Sequence, residues 1–305
     1  MPTSFSAHSY GITALLGRAS FPDRSPQTVV VPPFQRPFSW EKKHVARFWE
    51  DLIDFHETRE RRQPPDTYFL GPIVVLPDAA GGNIGLLDGQ QRLATVTILL
   101  AIIRDLARER GGQDGSDLAR DIQRDLLTMD NPSGDFALTL GELDQLFFIS
   151  NVQEDPPSMS TRATLRSHRL IQSAQRLLRT NLEGRLPSNT PDMIEELKKL
   201  RDTIASHLKF VAIEVVSERE AFMIFETLND RGLRLAVPDL VLNYLMRTAR
   251  NKNERDVIRQ HWNTVLENLG TSKASRFLRH MWVSIYGDVK GQGLFDEIID
   301  RLSKH

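Results

Sequence analysis

A chain of 305 residues with 39 basic and 40 acidic side chains, formal charge -1, has no overall electrostatic pull toward nucleic acid or a membrane surface, so any anion site must be local. The absence of cysteine rules out disulfides, thiolate metal sites and cysteine nucleophiles, and fits a reducing compartment. No basic n-region leads into an apolar core and no stretch of about 18 residues is uncharged and apolar, so a soluble, cytoplasmic protein is expected.

Up to about residue 110, short β-branched runs alternate with helical patterns, as in a mixed α/β unit. TVVVP, residues 28–32, reads as a strand ended by Pro32 and Pro33. Residues 41–62 place Val45, Phe48, Trp49, Leu52, Ile53 and His56 on one face at helical spacing. TYFLGPIVVLP, residues 67–77, is a second strand interrupted at Gly71-Pro72; DAAGGN is a turn, and IGLLD a short strand running straight into the helix that starts at Gly89.

Beyond the polar break GGQDGSD, helical patterns dominate, near 117–129, 160–182, 191–207, 218–229, 238–250, 254–269 and 273–286. One strand, KFVAIEVV at 209–216, interrupts them, and NVQEDPPSMS at 151–160 has the composition of an exposed loop. The expected fold is therefore α+β, a mixed α/β domain over residues 1–110 and a mostly helical domain over 111–305. The last segment, GLFDEIIDRLSKH, carries no closing signal, which leaves room for a further domain.

Three polar constellations carry candidate chemistry. The first is DGQQR, residues 88–92, at the head of a long apolar helix. A strand that turns through a glycine into a helix presents backbone N–H groups and the positive end of the helix dipole, which suits a phosphate. Gly89 admits a ligand close to the backbone, and Arg92 offers a planar bidentate donor. Asp88 is placed to hold Mg²⁺ or orient a water, and Gln90 and Gln91 to bond a nucleotide. Taken alone, strand-Asp-Gly-helix is more often an ordinary junction in which Asp88 is the helix N-cap.

The second is VVVPPFQRPFSW, residues 29–40, where prolines stiffen a segment bearing Phe34, Gln35, Arg36, Phe38 and Trp40. It presents an amide, a guanidinium and aromatic surface to a DNA backbone or a flipped base, or else its aromatics pack into the core. The third runs from Ser217 to Leu245: Ser217 and Glu220 form a capping box, residues 229–232 stop the helix, and Pro238 opens the next. Asn229 and Arg231 either close over a ligand or belong to a structural helix-turn-helix corner.

The eight histidines show no metal-binding spacing, and neither G-x-x-x-x-G-K-[ST] nor G-x-S-x-G occurs.

PPFQRPFSW, YFLGPIVV, LLDGQQRLATV and FETLNDRGLRLAVPDL, in that order, resemble the successive signatures of the N-terminal domain of GmrSD-type modification-dependent restriction proteins, a domain shared with SspE-like phosphorothioate sensors. The resemblance spans residues 10–245 and implies a ParB/sulfiredoxin-like N-terminal fold. It implies nucleotide hydrolysis, with GTP favoured and Mg²⁺ as companion ion, in which Asp88, Gln90 and Arg92 are catalytic and Gly89, Gln90, Gln91, Arg92 and Thr95 bind the nucleotide. Pro33, Phe34, Gln35, Arg36 and Trp40 are implied to sense modified DNA. Relatives usually carry tyrosine where Phe34 stands, so a hydrogen bond made there is lost. Longer members carry an HNH-type nuclease domain, and none is present in these residues. The implied role is that of a sensor NTPase in phage defence acting with DNA and a nuclease domain or subunit, an oligomer being possible; a DNA-binding or partner-binding module, or a ParB-like nuclease, are the alternatives. Arg36, Arg47, Arg59, Arg61 and Arg62 form the nearest basic surface, although RERR also suits a solvated helix end.

Overall fold

The alternation of β-branched runs and apolar helices folds into a six-stranded mixed sheet with helices packed on it. The computed structural model describes residues 6–16, 28–32, 35–61, 67–77, 83–129, 135–216, 237–269, 271–289 and 294–302. The strands are β1 (Ser6–Gly11), β2 (Thr28–Val30), β3 (Tyr68–Pro77), β4 (Asn83–Asp88), β5 (Leu138–Thr139) and β6 (Leu208–Glu214), in the order β1-β6-β3-β4-β2-β5. β1 and β6 are antiparallel, as are β3 and β4; the β6/β3, β4/β2 and β2/β5 pairs are parallel.

β3 runs unbroken through Gly71-Pro72, where the sequence suggests an interruption. It accommodates them with a register shift between Phe69 and Gly71. A proline cannot donate to the ladder, and a bulge is where a central strand tolerates one.

The helices of the first unit are α1 (Ile12–Leu16), α2 (Lys42–Arg61), α3 (Gln90–Arg110), α4 (Gly112–Ile122), α5 (Glu142–Phe148), α6 (Arg166–Glu183) and α7 (Thr190–Asp202). Wider π-type turns continue α4 over Gln123–Leu127, α5 over Ile149–Gln153 and α7 over Thr203–His207. α3 is buried on nearly every side, from Leu93 through Ala107, and forms the spine of the core. β1, α1, β5 and α5 have no counterpart among the expected elements, and Asn151, Val152 and Gln153, expected in an exposed loop, are buried.

Two units divide the chain, Met1–Pro33 with Pro37–Ala221 and Phe34–Arg36 with Phe222–His305. The boundary expected at residue 110 falls inside one continuous core that reaches from Tyr10 to Ala212. GGQDGSD looks like a linker by composition, yet it is a turn at Gly111, whose N–H bonds Ala107 O at 2.8 Å, followed at once by α4. The buried face of α4, Leu118 and Ile122, joins the same core. The second unit consists of α8 (Val237–Thr248), α9 (Lys252–Leu269), α10 (Thr271–Tyr286) and α11 (Leu294–Leu302), with a small core of Val241, Trp282, Val289, Leu294 and Ile298. No helix among the described residues is long and apolar enough to cross a membrane.

Candidate functional site

Where β4 ends and α3 begins, the chain turns through Gly89 at φ 94°, the left-handed region that a side chain disfavours. A Cβ there would lie 2.4 Å from Ile73 Cγ2. On the neighbouring strand Gly71 takes φ 119°, and a Cβ on it would lie 2.5 Å from Arg92 Nη1. The Arg92 guanidinium thus occupies space left by a missing side chain in the bulge of β3.

Arg92 Nη2 donates to the Pro72 carbonyl and stands 3.5 Å from Asp88 Oδ2. Its Nε is buried and finds no acceptor among the described residues. Burial pulls the Arg92 pKa below its ordinary value, and the Asp88 charge opposes that shift. The Asp88 side chain is 43% exposed and that of Arg92 24%, so the pair is reached from the Asp88 side.

The helix cap is Gly89, not Asp88, and it has no side-chain acceptor for the first turn. The first turn holds no acid, only the cation Arg92, an arrangement unfavourable for a helix start unless negative charge sits beside it. Asp88 supplies part of that charge.

The remaining candidates on α3 face inward. Gln90 and Gln91 are buried. Gln91 Oε1 accepts from Ser39 N at 2.7 Å and Trp40 N at 3.2 Å, while its Nε2 donates to Pro37 O at 3.3 Å. Thr95, expected at a nucleotide, is fully buried, its hydroxyl donating to the Gln91 carbonyl at 2.8 Å. The reason is the burial of α3 itself, along which Arg92 alone is partly open to solvent between Gln90 and Arg104.

In the proline-flanked segment, Trp40 is half-buried, with ring centroids 6.3 Å from both His44 and Phe48. Phe38 lies in the core, as the packing alternative requires. Gln35 and Arg36 are half-buried and belong to the second unit; Pro33, Phe34, Asn229 and Arg231 lie outside the described residues. Of the arginines proposed as a basic surface, Arg47 is exposed and 3.9 Å from Asp51, and Arg59 is half-buried.

Sequence reasoning misses two charged groups. Asp144, on the unexpected α5, is buried; its Oδ2 accepts from Phe38 N at 2.6 Å, and its Oδ1 lies 3.8 Å from His168 Nε2. Burial raises its pKa, opposed by bonds from Ser167 and Phe38. Arg104, fully buried in α3, donates to Asp105, to Gln123 and to the carbonyls of Val152 and Gln153. In both cases the available signal is a charge inside an apolar run, LDQLFF and ILLAIIRDLA. No group of three or more His, Asp or Glu among the described residues is placed to hold a metal ion.

The family described as GmrSD restriction endonuclease, N-terminal domain, matches residues 20–246, most of the chain. The chain belongs to this family. As a GmrSD N-terminal domain it is a component of a restriction system. No curated protein matches it.

Proposed function

We propose that this GmrSD-family chain is the sensor NTPase of its restriction system, hydrolysing a nucleoside triphosphate, with GTP favoured, to control a nuclease in response to modified DNA. One observation carries the reading: a largely buried guanidinium, Arg92, with a free Nε, held in the first turn of an uncapped helix beside the half-exposed carboxylate of Asp88. A helix start with a cation and no acid of its own is poised for an anion.

In this reading the phosphates lie against the first turn of α3 from the side of Asp88, the more exposed of the Asp88–Arg92 pair. Arg92 neutralises charge that grows on the phosphoryl oxygens, and Asp88 orients the attacking water or holds the ion. A lone carboxylate suits Mg²⁺ that arrives on the phosphates, since this ion takes one or two carboxylates and fills its shell with phosphate and water. When bound, that ion withdraws charge from the phosphates. Gln91 takes a supporting part, fixing the segment 37–40 against the nucleotide turn, so that DNA read by Trp40 and its neighbours is felt at Gly89.

The test is phosphate release from each NTP with Mg²⁺, with and without DNA, by the parent protein, Asp88→Ala and Arg92→Ala. Each substitution is expected to lower turnover by about 10²- to 10³-fold, the effect of losing one positioned charge-stabilising group. Turnover that survives both removes these residues from the reaction.

A second reading is favoured by the inward commitments of Gln91 and Thr95: a binding module that holds a DNA phosphate at the same turn without hydrolysis. A parent protein that binds DNA yet releases no phosphate from any NTP selects it.

A further inference from the structure

From Pro156 to Leu182 the chain contains no acidic residue and five arginines, Arg162, Arg166, Arg169, Arg176 and Arg179. On other helices of the first unit Arg47 is matched with Asp51, Arg120 with Asp117 and Arg124 with Asp121. On α6 only Arg179 is matched in this way, with Glu183 at 3.0 Å, and it also meets Glu109.

Arg166, Arg169, Ser173, Arg176 and Thr180 recur every three or four residues and so line one side of α6, opposite the buried Ile171, Ala174, Leu178 and Leu182. Arg166, Arg169 and Arg176 are exposed, as is Arg162 just before the helix. Arg176 has no hydrogen bond or ion pair among the described residues. Arg166 holds Glu41 at 3.1 Å, and Arg169 donates to the Thr164 carbonyl at 3.2 Å. Two guanidinium groups in the opening turns of a helix whose first turn has no acid work against the dipole and against each other. A solvated face alone gives no reason for that arrangement; a polyanion lying on it does.

The position of α6 points to the same partner. Beneath Arg166 and Arg169, Ser167 and His168 turn inward to Asp144, which holds the N–H of Phe38, and Arg166 reaches Glu41, next to Trp40. The basic face thus starts at the segment proposed to read DNA. From Arg166 to Arg176 is about 15 Å along the axis, over which duplex DNA carries several phosphates.

We infer that the exposed arginines of α6, Arg162, Arg166, Arg169 and Arg176, form the track that binds the phosphate backbone of duplex DNA, in place of the arginines at the end of α2. The inference rests on the DNA-sensing reading above. Guanidinium groups match phosphate oxygens bidentately, and the exposed Arg166–Glu41 pair is weak enough to be exchanged for them.

The experiment uses the full chain and a duplex of about 30 base pairs, with affinity measured over a salt series. Arg166→Gln/Arg169→Gln/Arg176→Gln is expected to reduce the salt slope by about 3 and low-salt affinity by about tenfold or more. Arg176→Glu alone, at a residue whose loss disturbs no bond among the described residues, is expected to weaken binding several-fold with an unchanged melting curve, whereas Arg120→Gln/Arg124→Gln leaves affinity as in the parent. A parent that binds with a triple variant of equal slope and affinity overturns the track and leaves DNA sensing intact. A parent that binds no duplex at low salt overturns both.

Discussion

Gln91, in the first turn of α3, accepts a hydrogen bond from the backbone N–H of Ser39 at 2.7 Å, joining two motifs that lie 52 residues apart. The same oxygen takes Trp40 N, and the amide nitrogen reaches Pro37 O. With Phe38 N on Asp144 and Glu41 N on His44, the backbone of 37–41, which belongs to no strand ladder, gets its partners from side chains of three helix regions. Gln91→Ala strands two N–H groups and a carbonyl and should cost about 2–4 kcal/mol. Gln91→Glu keeps both accepting contacts but sets an oxygen against the Pro37 carbonyl in a buried site, so it should recover only part of that stability in urea titrations. If Gln91 also transmits DNA binding, the Glu variant will retain DNA-free turnover while its stimulation by DNA changes; equal stability of the Ala variant and the parent would remove the strut.

Gly71 makes room for Arg92, and Gly89 makes room for Ile73. A methyl group at either position meets a side chain at 2.5 Å or less and forces a left-handed φ on a residue with a Cβ. Gly89→Ala should destabilise by about 1–3 kcal/mol, the ordinary cost of such strain. The contact at Gly71 is with the end of a long side chain that can move, so Gly71→Ala should be milder in stability and more severe in function, because it displaces the guanidinium. Gly184→Ala, at φ -66° with its nearest neighbour 3.4 Å away, serves as control and should be neutral or slightly stabilising in thermal melts.

How far the sequence reveals these relations depends on the kind of signal. Periodicity marks α2, α6, α7 and the strands β2, β4 and β6 to within a few residues, because each buries one face or a short apolar run. It fails at GGQDGSD, where glycine and polar residues read as a linker while the core crosses them, and at β1, whose residues Ser6 to Ser9 are exposed and carry no alternation. At the site, strand-glycine-helix with Asp88 and Arg92 is legible as a local junction. The inward turn of Gln91 and Thr95 is not, since it depends on α3 being packed all round. Asp144 and Arg104 escape because their partners are backbone groups far along the chain, which no spacing rule reports.

Arg104 is the larger of those omissions for stability. Its guanidinium is wholly buried and bonds Asp105 Oδ1 at 2.8 Å, Gln123 Oε1 at 2.6 Å and the carbonyls of Val152 and Gln153 at 3.0 Å each, tying α3 to the π-type turns after α4 and α5. Arg104→Ala leaves those acceptors unpaired in the core and should cost about 3–5 kcal/mol. Arg104→Lys keeps the charge without the planar fork and should be nearly as damaging. Urea midpoints for both, compared with the exposed Arg124→Ala, decide this: an Arg104→Lys variant as stable as the parent would mean that charge alone suffices.

Asp144 should leave its mark on the pH dependence of stability. Burial raises its pKa in the folded protein above that of the unfolded chain, so the native state retains a proton that the unfolded state releases. The resulting stabilisation is full below the unfolded pKa and is lost as pH rises through the folded one, the reverse of an ordinary ion-paired carboxylate. Asp144→Asn keeps an acceptor for Phe38 N and removes the titration. Asp105, whose pKa is also raised by burial, is present in both proteins and cancels in the comparison. Relative to Asp144→Asn, the parent should therefore be favoured most in acid and lose ground steadily as pH climbs above the ordinary carboxylate range, as read from urea unfolding at a series of pH values. A difference that stays constant with pH, or grows in favour of the parent toward neutrality, would show that the Asp144 carboxylate is ionised at little cost and that its contacts with Ser167 and Phe38 outweigh its burial.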